Sequence, residues 1–545
     1  MKKHILTTTA LLFAAFVSAQ NVPTAEIQKE VDAHLKNLPF ASFSIKVPSF
    51  GDKVYNIKDA GAIGDGVAIN TEAINGTIKK CSEAGGGTVI IPAGLWKTGP
   101  ITMMSNVNLH LQAGALVVFS ADPKDNPIVQ DGKKFTIPSL INGSGLKNVA
   151  ITGKGIFNGN GSEWRPIKRE KLPEKQWKNI TKKGELSPDG KIWYPAKGTM
   201  AANQKLNNAD QSNMTKEQWE EVRLAIHRPY LISLKKSQNV FVEGVTFMNS
   251  PHITYYLNAI DGLVMKDVKV LNEWWFQNAD GLDISACRNV LMYDCTVNTG
   301  DDGICMKSSK SSASGRQFGL ENIVIKDCKV YHAHGGFVIG SNTDGGMNNI
   351  LVQNCDFSWS DVGLRVKSGA GRGGRVQNIY IQDIYMKDLS GNAVEFELTY
   401  EDKAVEGTAV DKKLDMVPDF DSFFFKNIYC DGAKGAIVIG GTADLNVKNV
   451  TFENVHIKAN SGVSAFRSEN ITFNNVTIDT PVSPTYSLNK GVNITFKNIP
   501  QLPTSGVFAK ILNPETKNIV FENVKFDKSK VEIINGANES QVKFK

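Results

Sequence analysis

The sequence predicts an all-β fold, a single-stranded right-handed parallel β-helix with an N-terminal capping helix. The main observation is a short sequence motif that recurs along the chain, an Asn followed by β-branched or apolar residues. A turn rich in Asn, Asp and Gly and a second β-branched strand follow most copies, as expected for one turn of a coil. One turn cannot bury its apolar face alone, whereas stacked turns share a continuous core. Copies begin at Asn148, Asn239, Asn289, Asn322, Asn349, Asn378, Asn427, Asn449, Asn470, Asn493 and Asn518.

The spacing of the copies favours parallel over antiparallel strands. From Asn289 onward the steps are 21 to 33 residues, with one of 49 that indicates an inserted loop. An antiparallel sandwich, the alternative, needs a hairpin turn about every 8 to 12 residues. Connections between parallel strands are right-handed, which sets the predicted hand of the coil. The repeated Asn is interpreted as structural, because it tolerates left-handed backbone angles and its amide can bond to copies above and below.

The segment before the first copies predicts a helix. A stretch from Asn70 to Cys81 has a helical pattern and ends at three consecutive glycines, Gly85 to Gly87. A stack of strands leaves an open apolar end, so we expect this helix to cover it. The predicted domains are a lead-in over residues 20–52 and a β-helix domain over residues 53–545.

An insertion interrupts the repeat over residues 160–226. It is polar but contains four tryptophans, and its last part, Thr215 to Leu224, predicts one helix in an otherwise irregular loop. Loops of this length are usually functional or disordered, and the tryptophans argue against disorder. Two interpretations remain open: a functional loop, or a cover for hydrophobic surface on the stack.

The first 19 residues predict export. Lys2 and Lys3 precede an apolar run from Leu11 to Val17, and Ser18-Ala19 forms a small-residue cleavage site, so residues 1–19 resemble a signal peptide. No later segment predicts a membrane span, and we expect a periplasmic or extracellular protein. The net charge of +6 is too mild to indicate a nucleic-acid partner. A mild positive charge is compatible with an acidic substrate.

The seven cysteines predict buried thiols. They include no Cys-x-x-Cys pair, and most lie in or beside strand-like runs. An exported protein could oxidise some of them, but the odd count leaves at least one free. We therefore predict neither a specific disulfide nor a metal site.

Four short segments on successive turns carry the ionisable side chains of a candidate active site. Successive turns of a β-helix lie about 4.8 Å apart, so equivalent residues become lateral neighbours. Asp280 and Asp302 are separated by 22 residues, which corresponds to one turn. The predicted cluster consists of Asp280, Asp301, Asp302, His334, Arg365 and Lys367.

The residue types in this cluster indicate acid and base chemistry on an acidic substrate. Three close carboxylates repel one another, so the pKa of at least one should rise. Glycoside hydrolysis uses such an arrangement, with one carboxylic acid protonating the leaving oxygen and a carboxylate activating water. Arg365 and Lys367 flank an inward-facing Val366 and suit a sugar carboxylate, although a solvated charged face is the alternative. A calcium site is the rival interpretation of the aspartates, but His334 and the two cations oppose a divalent ion.

The four segments resemble the signature motifs of glycoside hydrolase family 28, the polygalacturonases, whose usual forms are Asn-Thr-Asp, Gly-Asp-Asp, Gly-His-Gly and Arg-Ile-Lys. The resemblance covers residues 53–530, with the insertion unmatched, and implies a pectin-lyase-like solenoid. The chain departs from the motifs at Ala279, Ala333 and Val366, which replace Thr, Gly and Ile. These changes leave every ionisable group intact.

The resemblance implies an inverting hydrolase that needs no cofactor. Asp301 is the implied general acid, while Asp280 and Asp302 hold and deprotonate the water. His334 supports the acid. Replacing Asp301 by Asn should therefore abolish hydrolysis while substrate binding is largely retained.

The resemblance also implies an acidic pectic polysaccharide or oligogalacturonide as substrate. Arg365 and Lys367 are the implied ligands of a galacturonate carboxylate, and Tyr400 resembles a substrate-contacting tyrosine. We expect exo action on α-1,4-galacturonan, because the insertion at 160–226 could close one end of a groove. The alternatives are a rhamnogalacturonan-directed galacturonidase, a calcium-dependent pectate lyase and a non-catalytic carbohydrate-binding β-helix. The sequence makes no prediction of oligomeric state.

Overall fold

A computed structural model describes most of the chain and is dominated by parallel strands. The predicted signal peptide lies outside the described residues. The chain divides into two compact units, the first made of the residues up to Lys36 with Ser44–Ala279, the second of Asn37–Phe43 with Asp280–Lys545. The described residues are 24–400, 416–442, 445–500, 506–524 and 528–545.

The first unit is built mainly from short parallel strands in register. Ile141 pairs with Ile232, which pairs in turn with Tyr255, so equivalent positions of consecutive turns lie side by side. Two small antiparallel pieces lie outside this pattern, one made of Val129–Asp131 and Lys134–Thr136, the other of Ile167–Lys168, Glu185–Leu186 and Ile192–Tyr194. Its strands are β1 (Val54–Asn56), β2 (Asp65–Ile69), β3 (Gly87–Ile91), β4 (Gly94–Thr98), β5 (Ile101–Thr102), β6 (Val107–Leu111), β7 (Ala115–Phe119), β8 (Val129–Asp131), β9 (Lys134–Thr136), β10 (Ile141–Ser144), β11 (Lys147–Gly153), β12 (Ile156–Asn158), β13 (Ile167–Lys168), β14 (Glu185–Leu186), β15 (Ile192–Tyr194), β16 (Ile232–Lys235), β17 (Gln238–Glu243), β18 (Thr246–Met248), β19 (Tyr255–Asn258), β20 (Asp261–Lys266) and β21 (Lys269–Leu271).

The second unit continues the same repeat and carries the candidate site. One column of buried residues runs from Leu282 through Ile304 and Phe337 to Leu364 in parallel register. Its strands are β22 (Leu282–Ser285), β23 (Arg288–Tyr293), β24 (Thr296–Asn298), β25 (Asp302–Lys307), β26 (Leu320–Lys326), β27 (Lys329–Tyr331), β28 (Gly335–Ile339), β29 (Met347–Ser358), β30 (Val362–Lys367), β31 (Arg375–Glu397), β32 (Asp419–Gly440), β33 (Val447–Lys458), β34 (Ser461–Phe466), β35 (Ser468–Asp479), β36 (Tyr486–Asn489), β37 (Val492–Lys497), β38 (Ala509–Leu512), β39 (Lys517–Glu522), β40 (Val531–Ile534) and β41 (Val542–Phe544). The predicted parallel β-helix is therefore confirmed.

The repeated asparagines form the ladder that the sequence predicts. Asn289, Asn322 and Asn349 have φ angles of 55°, 59° and 58°. The Asn322 side-chain amide donates to Asn289 Oδ1 at 3.1 Å, and the Asn349 side-chain amide donates to Asn322 Oδ1 at the same distance. These residues therefore fix the corner of each turn and take no part in chemistry.

A stack of phenylalanines fills the core of the last turns. Phe452 and Phe473 lie 5.3 Å apart between ring centroids at 5°, and Phe473 and Phe496 lie 5.2 Å apart at 13°. Such pairs add about 0.5 to 1.5 kcal/mol beyond the burial of their area. The core is thus a continuous column, as stacking of single turns requires.

Five α-helices lie within the described residues. The predicted capping helix is present as α2, which buries Ile74, Ile78 and Cys81 against the first strands of the stack. The lead-in forms a helix that the sequence pattern did not reveal, α1, which buries Ile27 and Val31. The helices are α1 (Thr24–His34), α2 (Thr71–Glu83), α3 (Glu174–Ile180), α4 (Thr199–Asn207) and α5 (Lys216–Glu221).

The insertion is more ordered than predicted. The expected helix is α5, but α3, α4 and the β13–β15 sheet accompany it, so the prediction of one helix was wrong. Trp177 and Trp193 pack with Phe276, whereas Trp219 packs in a second cluster with Ile128. The tryptophans therefore serve as a hydrophobic cover on the first unit.

All seven cysteines lie in described residues and are buried thiols, as predicted. No helix in the described part of the chain combines the length and apolar character that a membrane crossing requires.

Candidate active site

The acidic residues and His334 lie at the beginning of equivalent strands on consecutive turns of the second unit. Asp280 precedes β22, Asp302 begins β25, and His334 precedes β28. Backbone bonds join these turns directly: Gly281 N–H donates to the Asp302 carbonyl at 2.8 Å, and His334 N–H donates to the Asp301 carbonyl at 3.0 Å. The predicted alignment of the motifs is therefore present in the structure.

The glycines that follow Asp280 and Asp302 allow this close approach. A Cβ atom on Gly281 would lie 2.5 Å from the carbonyl oxygen of Gly303. A Cβ on Gly303 would lie 2.3 Å from a Val330 methyl group and 3.0 Å from the Gly336 carbonyl. Any larger residue would push the turns apart, and the spacing of the carboxylates depends on that distance.

The three aspartates form one cluster. One oxygen from each of Asp280, Asp301 and Asp302 lies within 4.8 Å of the others. Asp280 is 7% exposed and Asp302 is 3% exposed. The Asp301 side chain is more accessible, at 17%. The most accessible carboxylate is thus the one implied to deliver the proton.

A fourth carboxylate, Asp283, and Lys307 lie next to Asp280, and the sequence pattern did not identify either of them. Lys307 Nζ lies 3.1 Å from Asp280 Oδ2 and also donates to Asp283 Oδ2 in a short contact. Asp283 is fully buried, and its Oδ1 has no hydrogen-bond partner among the described residues. Lys307 is therefore shared by two buried carboxylates.

The pKa of Asp280 is raised, as predicted for a carboxylate in this cluster, but burial is the largest cause. Asp301 and Asp302 add to the rise, whereas the Lys307 ammonium opposes it. Burial also raises the pKa of Asp283 to about 8, against the effect of Lys307. Burial alone would lower the pKa of Lys307, but the carboxylates outweigh burial and raise it. Lys307 therefore stays charged and is the main group that favours the anionic form of Asp280.

Asp301 is held by a histidine and by the backbone. His334 Nδ1 lies 3.3 Å from Asp301 Oδ1, and Asp302 N–H donates to the same oxygen at 3.0 Å. His334 Nε2 lies 3.8 Å from Asp361 Oδ2, a carboxylate that the sequence analysis did not identify. Asp301 Oδ1 therefore accepts the Asp302 N–H group and lies beside the His334 ring.

Asp302 is paired with a cation on one oxygen only. Lys367 Nζ donates to Asp302 Oδ2 at 2.8 Å, while Asp302 Oδ1 has no hydrogen-bond partner among the described residues. Burial is the largest single influence on Lys367 and lowers its pKa, but Asp302, Cys305 and Tyr400 together outweigh it and raise the pKa to about 12. Oδ1 is thus available to accept from a water molecule.

Arg365 and Tyr400 complete the cluster. Arg365 lies 3.5 Å from Glu395 and 3.4 Å from Glu397, two carboxylates on β31. The Tyr400 ring centroid lies 4.8 Å from Lys367 Nζ and 5.4 Å from the Arg365 guanidinium carbon. The structure therefore brings all seven sequence-predicted residues together. It also gives both cations protein partners, which the sequence did not predict.

The carboxylate cluster is a poor fit for a metal ion. Its spacing alone could accommodate one. However, the ammonium groups of Lys307 and Lys367 already contact Asp280 and Asp302. A divalent cation would have to displace or repel these two positive charges.

The residues that the sequence analysis missed share a weak signal. Asp283 alternates with Leu282 and Ile284 in β22, so it faces outward like the motif residues. Lys307 ends β25 in the same way. Outward position alone does not distinguish a buried partner from a solvated charge, so alternation could not have identified them.

Comparison with known proteins agrees with this geometry. The sequence model of Glycosyl hydrolases family 28 matches residues 179–482. An exo-poly-alpha-D-galacturonosidase from Dickeya chrysanthemi is 29% identical over 444 residues, 78% of this chain and 71% of that protein. A hyperthermoactive exopolygalacturonase structure from Thermotoga maritima superimposes with a TM-score of 0.64 at 26% identity, covering 84% of this chain and 96% of that one. A Yersinia enterocolitica family 28 exopolygalacturonase, at 21% identity and a TM-score of 0.62 over 85% and 80%, shares the fold. The chain therefore belongs to glycosyl hydrolase family 28, whose model covers more than half of its length.

Proposed function

We propose that the protein is an exported hydrolase of α-1,4-galacturonosyl linkages in pectic polysaccharides or oligogalacturonides, releasing galacturonic acid from chain ends. The observation that carries the proposal is the cluster of three carboxylates within 4.8 Å, bordered by the Lys367 ammonium and the Arg365 guanidinium. The carboxylates supply acid and base chemistry, and the cations suit a substrate that bears a carboxylate on each sugar. Similarity to exo-acting relatives supports the choice of exo action.

The roles follow from the contacts of each carboxylate. Asp301 is the general acid, because it is the most exposed of the three and His334 orients it. Asp302 Oδ1 and Asp280 hold the attacking water between them, since both are kept near a lysine. Removal of a proton from that water is balanced by protonation of the leaving glycosidic oxygen.

Arg365, Lys367 and Tyr400 bind the sugar next to the scissile bond. The Arg365 guanidinium makes only long contacts with protein carboxylates, 3.5 Å to Glu395 and 3.4 Å to Glu397, so a substrate carboxylate would bind it more closely. Tyr400 stands over both cations and supplies an aromatic face for the sugar ring. The carboxylate of the substrate would then compete with Glu395 and Glu397 for Arg365.

The stereochemistry of the product tests the role of water. Carboxyl groups in inverting enzymes are usually about 6.5 to 9.5 Å apart, and about 5 to 5.5 Å in retaining ones. Nearest oxygens within 4.8 Å alone would fit a direct nucleophile, but two carboxylates are available to share one water, so we expect inversion. Proton NMR during the first minutes of digestion should show the β anomer of galacturonic acid as the initial product. Initial α anomer would contradict the roles of Asp280 and Asp302.

The size of the products tests exo action. Digestion of polygalacturonate should release galacturonic acid from the earliest times, with little loss of viscosity. Chromatography of samples taken over time provides the measurement. An early ladder of oligomers would show internal cleavage and contradict the exo assignment, while hydrolysis itself would stand. A preference for substrates with neighbouring rhamnose would favour the rhamnogalacturonan-directed alternative.

Chelation separates the hydrolase from a calcium-dependent lyase. Because Lys307 and Lys367 contact the same carboxylates that a metal would need, we expect activity to be unchanged in excess EDTA. The reducing ends formed should not be accompanied by ultraviolet absorbance from an unsaturated sugar. Loss of activity on chelation, restored by calcium, would contradict this assignment.

A further inference from the structure

We infer that the first unit contains a separate binding site for an acidic sugar, formed by Arg228, Tyr230, Ser233 and Lys235 where the chain leaves the insertion. The inference rests on the proposed function for the choice of sugar. These residues line a cavity of about 590 Å³, within the range of about 300 to 1,000 Å³ that small-molecule sites occupy. We refer to it below as the Arg228 cavity.

An aromatic wall borders the Arg228 cavity. Tyr230 lines it and stacks on Tyr256, with ring centroids 4.9 Å apart at 27°. His252 packs on Tyr230 at 5.3 Å from another side. His227, which also lines the cavity, contacts the Tyr230 ring edge-on at 5.8 Å. Held by three rings, Tyr230 cannot turn freely, so the part of it that borders the cavity is fixed for contact with a sugar ring.

Arg228 provides a positive charge that lacks a carboxylate partner in the described residues. Its guanidinium donates to the Pro251 carbonyl at 3.0 Å and to Asn278 Oδ1 at 3.3 Å, both neutral acceptors. Burial lowers the pKa of Arg228 to about 10. A half-buried cation with neutral partners is incompletely compensated, and a ligand carboxylate would supply the missing charge.

Ser233 adds an unused polar group to the same wall. It lies on β16 and is 3% exposed, yet its Oγ has no hydrogen-bond partner among the described residues. A buried hydroxyl without a partner is uncommon, and a sugar hydroxyl would satisfy it. Ser233 pairs in register with Asn142 on one side and Tyr256 on the other, so the serine sits in the middle of a rigid strand column.

The charges of the Arg228 cavity favour an anion over a neutral sugar. Lys235, an exposed residue, adds a second cation to its lining, and Asp131 contributes one carboxylate. The aromatic wall, the serine hydroxyl and the surplus of positive charge together fit a hexuronic acid, which has a C–H face, hydroxyls and one carboxylate. A small inorganic anion would use the charge but not the ring.

Hydrogen–deuterium exchange on the full chain locates the site. In the Asp301→Asn variant, which prevents turnover, digalacturonate should slow exchange in peptides covering residues 136–146 and 227–236. A neutral galactose disaccharide at equal concentration should have at most one fifth of that effect. Inorganic phosphate should have no comparable effect, because it cannot pack on Tyr230.

Single replacements assign the effect to the Arg228 cavity. Arg228→Gln and Tyr230→Ala should each raise, at least fivefold, the digalacturonate concentration needed for half-maximal protection. Ser233→Ala removes a hydroxyl without a partner in the described structure, so it should weaken protection while leaving the thermal midpoint unchanged. Lys147→Gln, an equal change of charge on β11 outside the cavity lining, should leave protection intact.

The outcomes separate this inference from the proposed function. If wild-type enzyme hydrolyses polygalacturonate but peptides 136–146 and 227–236 are unprotected, the Arg228 cavity is not a sugar site. If Arg228→Gln and Ser233→Ala leave protection unchanged, the inference is equally wrong. If protection is observed but no hydrolysis occurs, the cavity stands and the proposed function fails.

Discussion

Replacing Asp301 with Asn should reduce kcat on polygalacturonate by about three orders of magnitude or more. Asn retains the shape of Asp and can still accept from the Asp302 N–H group, but it has no proton to give to the leaving oxygen. General acid catalysis contributes roughly 10² to 10⁴ in rate, and a sugar leaving group depends on it strongly. Steady-state assays of reducing ends provide the measurement.

The matched control is Asp294→Asn, the same substitution at an exposed corner just after β23. That variant should keep wild-type kcat. Calorimetry should show that Asp301→Asn binds oligogalacturonide with an affinity within a few fold of the wild type, because Arg365, Lys367 and Tyr400 are untouched. If Asp301→Asn retained more than a tenth of wild-type turnover, Asp301 could not be the general acid.

The clustering of the candidate catalytic residues was predictable because their positions depend on the register of the strands, which the repeat determines. Asp280 and Asp302 are 22 residues apart, and Leu282 and Ile304 pair across the same offset in the structure. The sequence therefore predicts neighbours without any knowledge of side-chain contacts. The asparagine ladder was predictable for the same reason, because each copy fulfils one local requirement for a left-handed corner.

The parts that sequence could not predict depend on packing. Helices α3, α4 and α5 have seven, nine and six residues, too few to form without the surface on which they pack. Trp177 and Trp219 provide that surface through clusters with distant residues such as Phe276 and Ile128. Such contacts link separate parts of the chain and leave no periodic signal.

The sequence also did not reveal which carboxylates contact Arg365. Arg365 reaches Glu395 and Glu397 because β31 lies beside β30 in register. The sequence places these glutamates after a step of 30 residues, but it does not show whether they pair with Arg365 or with solvent. The cause is geometric: a long side chain can reach several positions on the adjacent turn.

We expect the removal of Lys307 to have the second large effect on activity, because Lys307 controls the charge of Asp280. The lysine contacts Asp280 at 3.1 Å and lies outside the cluster of motif residues. Burial, Asp301 and Asp302 all raise the pKa of Asp280, and Lys307 is the chief group that lowers it. Without the ammonium, the pKa of Asp280 rises further and the base holds its proton over a wider pH range.

Lys307→Met should therefore move the acidic limb of the kcat/KM profile to higher pH. Activity that needs ionised Asp280 falls as the pH drops below its pKa. Each unit of increase should reduce kcat/KM about tenfold at a fixed pH on that limb. We expect a loss of roughly ten- to a hundredfold near pH 5, with a smaller loss at neutral pH. Lys307→Arg, which keeps the charge, should recover most of the profile.

Stability must be separated from this effect, because Lys307→Met also leaves Asp283 buried without its cation. Breaking a buried ion pair by removing one partner typically costs about 3 to 5 kcal/mol. Adding Asp283→Asn removes the buried carboxyl group that has lost its ammonium partner, so the double variant should regain much of the lost thermal stability. Its pH profile should stay displaced, since Asp280 still lacks the ammonium. If the double variant recovered both stability and the wild-type acidic limb, Lys307 would be a structural residue with no influence on the base.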